Sequence, residues 1–100
     1  MIKVEVITKD ESIISITVKG HAGMAEEGHD IVCAAVSGIL LGGMRALDES
    51  NFSFKETSGL GSIICRTLPS LRDAVVLETI ATQLECVAVS YPKYVSLERK

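Results

Sequence analysis

Apolar residues recur along the chain with two different periods, and the switches between them mark its elements. Ile2, Val4 and Val6 alternate with Lys3 and Glu5, and after Lys9-Asp10-Glu11-Ser12 the residues Ile14, Ile16 and Val18 alternate with Ser15, Thr17 and Lys19. A period of two turns alternate side chains to one face, so this stretch predicts a β-hairpin with Ile14, Ile16 and Val18 inward. The pattern stops from Gly20 to His29, where Gly23, Gly28 and the pair Glu26-Glu27 predict a mobile acidic loop. Asp30 then reads as an N-cap, its carboxylate placed to accept free backbone N–H groups at the start of a helix from Ile31 to Leu47. At 100° per residue Val32, Val36, Ile39, Leu40, Gly43 and Leu47 share one side of that helix, with Cys33 at the edge of this face in the first turn. Ala34, Gly38 and Gly42 form a separate stripe, read as exposed small residues without a partner.

The second half repeats the alternation of types. Phe52 and Phe54, the turn Ser58-Gly59 and the run Leu60 to Arg66 predict another hairpin. Pro69 breaks the chain, Ser70 and Asp73 have capping-box spacing, and Val76, Leu77, Ile80, Leu84, Val87 and Ala88 give a second helix a broad apolar stripe that ends at Pro92. Val95 and Leu97, alternating with Ser96 and Glu98, close the chain with a strand over Tyr94 to Arg99. The order ββαββαβ predicts an α+β fold in which two helices cover one face of a mostly antiparallel sheet.

Composition bounds what such a fold does. One hundred residues fit a single domain, 1–100, and 47% hydrophobic with 23% charged residues is the make-up of an ordinary globular chain. A formal charge of -3 leaves no basic footprint for direct nucleic-acid binding. The alternating N-terminus lacks the apolar core of a signal peptide. The longest apolar region, Ile31 to Met44, is interrupted by Ser37 and three glycines and is shorter than the roughly 20 residues a membrane span needs, so a cytoplasmic protein is expected. Cys33, Cys65 and Cys86 are an odd number at unpatterned spacings, which speaks for reduced thiols rather than a disulfide framework or a Cys-x-x-Cys zinc site.

The chemistry then centres on Cys33. A thiol is nucleophilic as thiolate, and the first turn of a helix lies in the positive field of unpaired N–H groups, which favours that form. The free N–H groups around Val32 and Cys33 also suit an oxyanion. His21, at the end of the first hairpin, is within one short loop of Cys33, and a Cys–His pair is the usual arrangement for thiol catalysis. Spacing alone leaves a second reading open, in which a small packed cysteine and a loop histidine are merely close in sequence. His29 is a rival base that reads more simply as a solvated loop residue. A zinc site of His21, His29 and Cys33 lacks a second paired motif to complete a tetrahedron, so no metal is expected. Asp30 either caps the helix or orients a histidine, and Ser37 either lines the same edge as Cys33 or bonds back to the helix carbonyls. Cys65 in a strand and Cys86 on the second helix read as inert.

Gly20-His21-Ala22, and then Gly28-His29-Asp30-Ile31-Val32-Cys33-Ala34-Ala35-Val36-Ser37, closely resemble the ribosomal-processing cysteine protease family of bacteria, and the length, the element order and the ending Tyr91-Pro92-Lys93-Tyr94-Val95 extend the resemblance over essentially the whole chain. The resemblance implies a cysteine endopeptidase with Cys33 as nucleophile and His21 as its catalytic partner, with Asp30 and Ser37 also at matching positions. It implies further that the substrate is the short N-terminal extension of a large-subunit ribosomal protein, that the chain forms a homodimer, and that no cofactor is needed. Under that reading Glu26 and Glu27 attract a basic peptide terminus and the loop between His21 and Cys33 closes on it. The alternative is a non-catalytic homodimeric binding module in ribosome assembly.

Overall fold

Five strands form one sheet in the order β3-β4-β2-β1-β5, and two helices lie on one of its faces. The structure is a computed structural model that describes residues 1–20, 27–57 and 59–100, with 27–30 as backbone. The elements are β1 (Ile2–Lys9), β2 (Ser12–Lys19), α1 (Glu27–Ala46), β3 (Phe52–Thr57), β4 (Leu60–Cys65), α2 (Leu71–Ser90) and β5 (Val95–Arg99), with a 3-10 turn at Glu49–Asn51 before β3. This is the expected ββαββαβ order. All pairings are antiparallel except β5 with β1, which run parallel as a crossover through α2 requires.

The alternation in β1 behaves as its period demands: Ile2, Val4 and Val6 are buried. In β2 the inward set differs from the expected one. Ile13 is 1% exposed and Ile14 only half-buried, because the β1–β2 register slips between Ile7 and Thr8. Ile7 pairs with Ser15 but Thr8 with Ile13, so Ile14 is the extra residue of a bulge and the alternation resumes on the other side of it.

Both helices bury the predicted stripes. Val32, Val36 and Leu40 of α1, Leu47 just past its end, and Leu77, Ile80 and Leu84 of α2 belong to the core, with Val76, Val87 and Ala88 packed against it. Gly43 is where the helices meet: a Cβ there would collide with the Ile80 side chain, so the missing side chain is what lets α1 approach α2. Gly38 and Gly42 have nothing within 4 Å of an added Cβ, which fits exposed positions without a partner. Ser70 caps α2, its hydroxyl accepting from the Asp73 backbone N–H at 3.1 Å.

The start of α1 departs from the sequence reading. The helix begins at Glu27, so Asp30 lies inside its first turn rather than at the N-cap, and Gly28 and His29 are helical rather than loop. A glycine costs little in a first turn, where the backbone N–H groups have no intrahelical acceptor in any case. His21, Gly23 and Glu26 fall outside the described residues.

Candidate active site

A cleft of about 140 Å³ opens where α1 overhangs the Leu60 end of the β3–β4 hairpin. The Val36 and Leu40 side chains form its inner wall from α1, Val18 and Leu60 come from the strands beneath, and Cys33 and Ser37, one helical turn apart, face it from the same side of α1. Leu40 packs down onto Gly61, where any Cβ would strike its methyl group, so β4 needs a glycine at this point for the helix to sit this close. Gly20 lines the same cleft, its N–H donating to the Gly59 carbonyl at 2.8 Å, and thereby holds the end of β2 against the β3–β4 turn.

The cleft separates the three cysteines. Cys33 is half-buried and lines it. Cys65, at the other end of β4, is also half-buried; burial pushes its thiol pKa up, the Asp73 carboxylate pushes it further, and its Sγ lies 3.8 Å from the Ile13 carbonyl. Such a thiol stays protonated and unreactive near neutral pH. Cys86 is exposed on α2, away from the cleft.

The length of α1 takes Cys33 away from the helix start. Cys33 is in the second turn of a helix that starts at Glu27, beyond the reach of the field confined to the first turn. The backbone N–H groups of Val32 and Cys33 likewise lie past the four free donors of the helix start and are committed to carbonyls one turn back, so they do not supply an oxyanion hole. What distinguishes Cys33 is its place on the cleft. Ser37 faces the cleft too and does not bond back to the helix; among the described residues its hydroxyl has no hydrogen-bond partner. Asp30 and His29 are placed as α1 backbone one turn or less before Cys33.

The far wall was missed from the sequence. Glu56 and Thr57 of β3 complete the cleft, with Glu56 the one charged residue lining it among the described residues. The signal was present in the alternation Phe52, Phe54, Glu56, which sets Glu56 on the face turned toward the helices.

A thiol lining a cleft between a helix and a mostly antiparallel sheet is an arrangement that a cysteine hydrolase can use. Against known proteins the class becomes a family: residues 1–96 match the family described as cysteine protease Prp, and the chain belongs to that family. It is 37% identical over 86 residues to the ribosomal processing cysteine protease Prp of Mycoplasma genitalium, covering 85% of this chain and 87% of the relative. It is 34% identical over 84 residues to the protein of the same name from Mycoplasma pneumoniae, covering 83% and 84%. A crystal structure of the ribosomal processing protease Prp from S. aureus, with a covalently linked product peptide, superposes with a TM-score of 0.87 at 26% identity over the whole of both chains. The chain is therefore a cysteine protease, and the non-catalytic binding module falls away as an alternative.

Proposed function

We propose that this protease removes a short N-terminal extension from a large-subunit ribosomal protein in the cytoplasm, acting as one catalytic domain with Cys33 as nucleophile and His21 as general base and then acid. The observation that carries the reading is that Cys33 is the one cysteine of three on the cleft. The relatives named as ribosomal processing proteases supply the substrate class. His21 takes the thiol proton as Sγ attacks the scissile carbonyl carbon; the C–N bond then breaks, the proton passes to the leaving amine, and a thioester remains. Water adds to the thioester, giving up a proton to His21, and the thiol departs as the new carboxyl end is released. Asp30, in the first turn of α1, and Ser37, on the cleft beside Cys33, are the residues that support the dyad in this reading.

Alkylation near neutral pH tests the dyad without a substrate. Iodoacetamide is expected to modify Cys33 first, Cys86 at the rate of an ordinary exposed thiol and Cys65 hardly at all, with Cys33 labelling slowed at least tenfold in His21→Ala. Mass-mapped adducts in equal yield on Cys33 and Cys86, unaffected by that substitution, would refute the pairing.

The same reading includes a homodimer, and α2 offers the face for it. Leu71, Val75 and Val89 are 90%, 67% and 80% exposed along one outer stripe with Thr82 and Cys86 between them. Its acid, Glu78, is paired with Arg99 at 3.2 Å, so the stripe is nearly neutral. With apolar groups at both ends and small polar ones between, it is complementary to itself when two copies pack antiparallel, the first turn of one helix against the last turn of its partner. Light scattering after gel filtration is expected to give the mass of two chains for the wild type and of one for Val75→Glu; a wild type of single-chain mass excludes the dimer.

A further inference from the structure

We infer that Glu56 is a specificity-determining residue, its carboxylate taking a lysine or arginine side chain of the peptide close to the bond that is cut; the inference rests on the reading of the Cys33 cleft as the substrate site. The register fixes where Glu56 points. It pairs with Gly61, whose missing side chain faces Leu40 of α1, so Glu56 continues the inward series of Phe52 and Phe54. Among the described residues the neighbouring strands contribute only apolar or small residues to the cleft, Ile2, Val18, Leu60 and Gly61, and α1 adds Val36, Leu40 and Leu41 beside Cys33 and Ser37. Glu56, exposed on the edge strand, thus stands at the rim of the cleft that holds the thiol, above walls that are otherwise apolar or small. Among the described residues no cation lies within ion-pair distance of it; the nearby lysine of its own strand, Lys55, alternates to the opposite face.

An inward charge on an edge strand has a simpler use, since β3 is the edge of the sheet and a charge there discourages pairing with another chain. That role explains a charge anywhere along β3. It does not explain why the charge stands at the end that meets Cys33 and Ser37, while the inward positions before it are phenylalanine. Apolar walls ending in one carboxylate suit a side chain with an apolar stem and a cationic head, which is lysine or arginine.

The test uses a ten-residue fluorogenic peptide spanning the extension junction, in a series with Lys, Gln or Glu at each position in turn. At one position close to the cut the wild type is expected to favour Lys over Gln about fivefold in kcat/KM, carried mainly by KM. Glu56→Gln brings the Lys peptide down to the rate of the Gln peptide, and Glu56→Lys favours the Glu peptide. A guard against edge pairing would alter solubility and leave the Lys-to-Gln ratio untouched. No lysine preference at any position in the wild type, or a preference that survives Glu56→Gln, overturns the inference. If the wild type cuts none of the series, the ribosomal-protein substrate is refuted instead, and the peptides are read as ligands of Cys33→Ala: a binding preference for Lys that Glu56→Gln removes still supports Glu56, and its absence overturns the inference.

Discussion

Cys33→Ala is expected to abolish cleavage of the junction peptide while leaving the protein folded. Removing the nucleophile of a thiol protease leaves only substrate positioning and whatever dipoles stabilise the oxyanion, so kcat is expected to fall by about 10⁴-fold or more. The fold should hardly register the change. Cys33 is half-buried at the edge of the core, and losing one sulfur there costs on the order of 1 kcal/mol or less, against the 2–5 kcal/mol of a fully buried large-to-small change. Cys65→Ala and Cys86→Ala serve as controls, since neither residue lines the cleft, and both should retain wild-type turnover. Cleavage that survives Cys33→Ala at wild-type melting temperature would remove Cys33 from the mechanism.

The course of the chain was legible where the signal is local. The period of two in Ile2, Val4 and Val6, the 3.6-residue stripes of Val32 to Leu47 and Val76 to Ala88, and the capping of α2 by Ser70 each depend on neighbours within a turn or a strand, and the structure has them all. Ile13 took the inward place expected of Ile14 because a bulge is fixed by the pairing of two strands, and nothing in the alternation of β2 alone marks the skipped residue. The start of α1 was misplaced for a related reason: Gly28 reads as a breaker on propensity, yet in a first turn it gives up no intrahelical bond. That error supplied Cys33 with a helix-end field it does not have. The cleft that does set Cys33 apart joins α1 to the β3–β4 hairpin, and its far wall, Glu56 and Thr57, is more than twenty residues away along the chain, brought near only by the strand order. Local patterns therefore located the chemistry-bearing helix, whereas the walls that select a substrate belong to the tertiary fold.

Gly20→Ala is expected to damage both the fold and the site, and it tests how the two are joined. Gly20 directly follows β2 with φ at +97°, where an L-residue is strained, and a Cβ there would stand 2.5 Å from the Met1 carbonyl oxygen, which is backbone and cannot rotate aside. The positive φ alone costs about 1–2 kcal/mol and the displacement of the Met1–Ile2 segment adds to it, so a loss of about 2–4 kcal/mol in urea denaturation is expected. For a domain of this size that lowers the melting temperature by roughly 10 °C or more. Gly38→Ala is the counterpart: it sits in a helix interior facing open space, and the same added methyl should stabilise by about 0.5–1 kcal/mol. The position of Gly20 makes the activity measurement the sharper one. Its N–H bond to Gly59 ties β2 to the β3–β4 turn at the cleft, and the next residue in sequence is His21. A shift of this backbone by even a few tenths of an ångström reaches both the cleft wall and the base, so at a temperature where the variant is still fully folded kcat/KM should fall by more than tenfold. Wild-type stability in Gly20→Ala would mean that the Met1 end yields freely and that the bond to Gly59, rather than the φ of Gly20, holds this corner. Lost stability with wild-type turnover would uncouple His21 from the end of β2.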